Sequence, residues 1–252
     1  MHTSYIACAY AAPPGEAANV NTTDLTKGRQ MKPWMIFAAL MAGTPVAAQQ
    51  SFAVPEGCTG TMTIQHKGCV VVNVWQCDAD AEGDQWIATA SQNGLFSVQR
   101  VDREFQWVEA FRVIGNTRLI TPADDPASLT ELFANQIDTW DFTLETDDGP
   151  ERHVGFDMLT GETTVIDGVT LMNTEYQGRT LDAAGNETEA GSGAQFVSEE
   201  HRLFFFGKSW SDDNPDQVTD MSPLEFIFPD EPGFMSSEPK YECNQIETGY
   251  QP

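Results

Sequence analysis

Thr61-Met62-Thr63-Ile64-Gln65-His66-Lys67-Gly68-Cys69-Val70-Val71-Val72-Asn73-Val74-Trp75-Gln76-Cys77 decides the fold. Its first half alternates apolar and polar residues, the period of a strand with one face buried. Its second half is a β-branched run, which suits a pleated surface. Lys67-Gly68 between them offers a tight turn. The stretch therefore reads as a β-hairpin.

The cysteines sharpen that reading. Cys58, Cys69, Cys77 and Cys243 form an even set, which in an oxidising compartment suggests two disulfides. Cys69 and Cys77 flank an extended segment about 26 Å long at ~3.3 Å per residue, far beyond the reach of one bridge. Two pairings remain. A turn at Lys67-Gly68 pairs His66 with Cys69, and the same register sets Cys58 opposite Cys77, leaving Cys69 for Cys243. The alternative joins Cys58 to Cys69 and Cys77 to Cys243. The register favours the first. Both tie the C-terminal segment to the hairpin, and neither spacing resembles a zinc site.

Strand signals continue on both sides. Gln85–Ala90 and Leu95–Val101 flank the turn Asn93-Gly94. Phe105, Trp107, Glu109, Phe111 and Val113 alternate, which places Phe105, Trp107 and Phe111 on one strand face. Pro126, Leu129, Leu132, Phe133 and Ile137 read as one helix near residues 126–136. Strands follow at 139–145, 152–158, 163–166, 169–181 and 201–210, with Thr160-Gly161 as a turn and Asp182–Gly193 as an exposed loop. The Pro-rich tail wraps the domain, pinned by Cys243. These elements predict one mainly β domain over residues 49–252: an antiparallel meander curled into a half-barrel or barrel, with one principal helix.

Met31 to Ala48 has the form of an export signal: Lys32, an apolar run Trp34–Ala42, and small residues Val46-Ala47-Ala48 before Gln49. Cleavage near Ala48 and a periplasmic or secreted location are expected. Residues 1–30 read as an upstream extension, with translation starting at Met31. The apolar run is about half the ~20 residues a spanning helix needs, so no transmembrane anchor is expected.

The chain carries 13 Lys+Arg against 38 Asp+Glu, a net charge of −25. Such a balance argues against nucleic-acid partners. It admits solvation, metal binding or a basic protein partner.

Cys58 to Cys243 resembles a group of exported bacterial proteins of unknown function. The resemblance is carried by Gly68-Cys69, Gly83-Asp84-Gln85-Trp86, Phe105-Gln106-Trp107-Val108-Glu109, Asp167-Gly168-Val169 and Leu203-Phe204-Phe205-Phe206. It implies export and brings no activity with it. A looser architectural likeness is to periplasmic lipoprotein carriers, whose curved antiparallel sheet holds lipid against a helix.

No nucleophile elbow, zinc-protease motif or phosphate loop is present, so catalytic residues are not assigned from sequence. Asp78, Asp80, Glu82 and Asp84 fall at the first, third, fifth and seventh positions of a calcium-type loop, but Thr89 stands where a closing Glu is needed. Calcium is the one metal this loop admits, and no other cofactor is expected. The aromatic strands are the stronger signal. Phe105, Trp107 and Phe111 on one strand, with Phe204 and Phe206 on another, predict an apolar surface for a small apolar ligand. An acidic module meeting a basic envelope partner is the alternative, and a carboxylate-dependent enzyme a further one.

Overall fold

The computed structural model describes residues 51–243. The expected leader, its cleavage point and residues 1–30 lie outside them. Thirteen strands and one helix follow in order. The strands are β1 (Cys58–His66), β2 (Val70–Cys77), β3 (Gln85–Ser91), β4 (Gly94–Val101), β5 (Trp107–Arg112) and β6 (Gly115–Asp125). After helix α1 (Leu129–Asn135) come β7 (Ile137–Thr146), β8 (Gly149–Ile166), β9 (Val169–Leu181), β10 (Glu187–Ser198), β11 (Leu203–Ser211), β12 (Asn214–Asp220) and β13 (Pro223–Ile227).

All strands join one antiparallel sheet in the order β12-β11-β10-β9-β8-β7-β6-β5-β4-β3-β2-β1-β13. No ladder closes it. Its two edge strands are nevertheless consecutive in sequence, with only Met221-Ser222 between them. The sheet must therefore roll until its ends meet at one corner. There Met221 N donates to Gly207 O, Lys67 N donates to Ser222 O, and Lys67 Nζ pairs with Asp220 at 2.8 Å. His66 Nδ1 lies 2.8 Å from Met221 O. Burial drives this imidazole down to about 4, so it sits neutral in the core.

The first hairpin forms as expected, with one change. His66 pairs with Val70, not Cys69, so Lys67, Gly68 and Cys69 make the turn. Gly68 and Cys69 both adopt positive φ there, +69° and +61°. A bulge at Thr61 then restores the register, and Cys58 stands opposite Cys77. Two one-residue shifts cancel, and the disulfides are Cys58–Cys77 and Cys69–Cys243.

Met62, Ile64, Val70, Val72, Val74 and Phe226 pack against Leu171, Leu203 and Phe205 of β9 and β11. Met172 and Phe204, which alternate with these, pack instead with Val197 of β10 and with Leu129 and Leu132 of α1. Strands β9–β11 therefore form a middle layer, with the β13-β1-β2 edge on one face and the helix on the other. The helix is seven residues long, capped by Ser128, whose side chain accepts from Glu131 N. It ends at Asn135, and Ile137 already belongs to β7.

The opposite face of β1 and β2 buries polar Thr63, Gln65 and Asn73 beside Val71 and Trp75. Thr63 Oγ1 donates to Asn73 Oδ1 and accepts from Met235 N; Asn73 Nδ2 donates to Ser236 O. Gln65 donates to Glu238 O and accepts from Lys240 N. The tail at 228–243 is thus a strap over a polar ladder, and its backbone groups find partners there.

Three stretches read differently from sequence. Thr160-Gly161 is no turn: β8 runs straight through it with a bulge. The expected loop 182–193 shortens to a turn at Asp182–Asn186, and β10 starts at Glu187. Pro223 opens an edge strand, a position that tolerates a missing donor.

Candidate functional site

On β2–β5 the register sets Trp75 opposite Trp86, Ala88 opposite Val98, and Val98 opposite Phe111. These residues share the sheet face that carries the strap. Trp75 and Trp86 stack with centroids 6.1 Å apart and planes 6° off parallel. Trp86 and Phe111 follow at 6.4 Å and 13°, and Phe52 tilts onto Trp75 at 5.1 Å. The ladder grades from buried Trp75 to Phe111, which is 47% exposed.

A groove of about 610 Å³ opens along it, bounded by Pro55, Gly57 and the Cys58–Cys77 bridge. The rings are fixed in place. Trp86 Nε1 donates to Asp80 Oδ2 at 2.7 Å. Arg100 lies over the Trp86 ring at 5.7 Å and is held by Asp84 and Glu109, each at 2.8 Å. The result is a rigid apolar wall in a groove of ligand-pocket size.

Of the aromatic residues expected to form one ligand surface, Phe111 alone belongs to this ladder. A bulge explains the split. Glu109 pairs with Arg100 and Trp107 with Val101, so Val108 is extra and Trp107 turns to the opposite face from Phe111. Trp107 packs on Phe142 and His153 at 5.6 and 5.7 Å. Phe105 sits in a turn at φ +65° and meets Phe204 edge-on at 5.1 Å, beside the helix. Phe206 is 38% exposed and lies 5.2 Å from the His66 ring. Trp75 and Trp86 were the missed members. Counting outward from a loop at 78–84 sets Trp75 opposite Ile87, one residue away from the observed Trp75–Trp86 pair, so register alone did not find them.

The Asp78–Asp84 loop does not gather its carboxylates. Asp80 is bound to the Trp86 indole and buried Asp84 to Arg100, while Glu82 points to solvent. Among the described residues, no group of three or more His, Cys, Asp or Glu side chains is placed to hold a metal.

Comparison with protein families, with curated proteins and with solved structures finds no match.

A second cluster escaped the sequence reading. Asp138 and Asp157 are direct cross-strand partners on β7 and β8. Asp138 Oδ2 accepts from Ser128 N at 2.8 Å, and its buried Oδ1 has no partner. Asp157 accepts from Trp140 Nε1 and Gln195 Nε2 at 3.0 and 2.9 Å. The Trp140 indole lies on Gly155 and Gly178, where a Cβ would stand 2.5 and 2.7 Å from the ring. Burial is the main cause that pushes Asp138 up to about 7 and Asp157 up to about 6, and the charge of Asp157 adds to the Asp138 shift.

Asp138 is 5% exposed and bonded to the helix cap, so its first role is to hold α1 on the sheet. A carboxyl held above its ordinary range keeps a proton that the unfolded chain has lost. Its contribution to stability therefore falls as pH rises from about 4 to about 7. His66 and His153, both pushed down to about 4 by burial, act in the opposite sense, losing stability as pH falls from 6.5 to 4. Comparing Asp138→Asn with the parent isolates the acid, because both proteins share the histidines. Thermal melts are expected to show the variant more stable by on the order of 1–2 kcal/mol at pH 8. The difference should vanish near pH 4. A constant difference across the range would contradict the assignment.

Proposed function

We propose that this is an exported, non-catalytic binding protein that holds a small apolar ligand in the groove along Trp75, Trp86 and Phe111. The observation that carries this reading is the stacked ladder, rigid from below and open to the groove at Phe111. A ring or chain laid on it would gain both burial and dispersion contacts without reorganising the wall. Export is supported by the leader pattern at 31–48 and fits the two disulfides. Among the described residues no helix is long and apolar enough to cross a membrane.

Native mass spectrometry of protein recovered from the exported fraction of its own cells tests the proposal. An apolar molecule should ride with the protein and appear free after organic extraction. Trp86→Ala, which removes the middle ring, should lower affinity for that molecule about 10- to 100-fold, the range of an aromatic anchor. An empty protein that also takes up no added apolar compound would sink the reading.

A further inference from the structure

The rim of the groove has a sign. Glu56, Asp78 and Asp80 all line it. Two of them flank the first disulfide. Glu56 stands two residues before Cys58 and Asp78 one after Cys77; the Cys58–Cys77 bridge joins these ends, and Asp78 N donates to Gly57 O at 3.0 Å. The nearby guanidinium of Arg100 does not offset them, since it is shared between Asp84 and Glu109. Next to this acidic rim stands the Trp86 indole, whose ring already carries the Arg100 guanidinium at 5.7 Å, the attraction of a ring quadrupole for a cation. The Trp86 indole already donates its N–H to Asp80, so the carboxylate steadies the ring from the rim side.

We propose that the ligand is an amphiphilic cation, with its apolar part on the ladder and its positive head at the rim carboxylates of Glu56, Asp78 and Asp80. This rests on the groove being the binding site and adds the charge class of what it binds. An anionic amphiphile would set its head among like charges. A neutral one would leave the rim unused.

The test uses three probes of equal length: hexyltrimethylammonium, 1-heptanol and heptanoate. Binding is read by tryptophan fluorescence. The ammonium is expected to bind about 10-fold or more tighter than the alcohol, and heptanoate more weakly than either. Added salt should narrow that gap. Glu56→Gln with Asp78→Asn should narrow it too; both residues are exposed, so the fold should survive. If the alcohol binds as tightly as the ammonium, or heptanoate binds tightest, the charge inference is overturned while the groove remains a binding site. If none of the three binds, both are overturned.

Discussion

Replacing Cys69 and Cys243 together by Ser is expected to lower the unfolding free energy by about 3–5 kcal/mol. The bridge closes a loop of 174 residues, so its loss frees most of the described chain in the unfolded state. In the chain-entropy view such a loop is worth about 5 kcal/mol, against ~3 kcal/mol for a short loop like the 19-residue span of Cys58–Cys77. The native state suffers as well. The strap is anchored at Cys69, whose N–H donates to Tyr241 O. Once cut loose it must hold by its hydrogen bonds to Thr63, Gln65 and Asn73, by the contacts of Lys240 and Tyr241 with Glu225, and by the backbone bonds at Phe52 and Cys69. Denaturant unfolding gives the total. Hydrogen exchange gives the location: amides of residues 234–241 should lose protection first in the variant. Equal stability of variant and parent would mean the strap is held by its polar ladder without the bridge.

The second large effect falls on three adjacent phenylalanines. Phe205→Ala should cost about 3–5 kcal/mol, the range for a buried ring in a packed core. Phe205 is 4% exposed and meets Phe226 edge-on at 5.2 Å, joining the middle layer to the edge strand β13. Phe206→Ala should cost less than about 1 kcal/mol, because that ring is partly exposed. Phe204→Ala belongs between them and should loosen the helix, whose Leu129 and Leu132 lose a neighbour. Chemical denaturation of the three variants gives the ranking. Similar losses at all three would contradict the layered packing.

What was legible in the sequence follows from period and turn chemistry. The β class, the single helix, the first hairpins and the disulfide pairing all rest on alternation, on Gly turns and on counting register. Bulges were the main source of error, because one inserted residue reverses every side chain beyond it. At Thr61 the error cancelled against the three-residue turn. At Val108 it did not, and Trp107 turned away from Phe111; Phe105 left the strand altogether, at positive φ in the turn before β5. The strands β12 and β13 were hidden by Pro215 and Pro223, which read as breakers away from an edge. The Asp138–Asp157 pair had no local signature. It exists because β7 and β8 align two ordinary aspartates under a helix, a relation fixed only by tertiary packing.

A ligand held in the Trp75–Trp86–Phe111 groove must change the surroundings of its two indoles. The most direct test follows the tryptophan indole N–H signals by NMR while 1-heptanol and then hexyltrimethylammonium are added. Saturable shifts are expected at Trp75 and Trp86 for at least one of them, with Trp107 and Trp140 unmoved. Shifts confined to Trp107 and Trp140, or none at any indole, would contradict it.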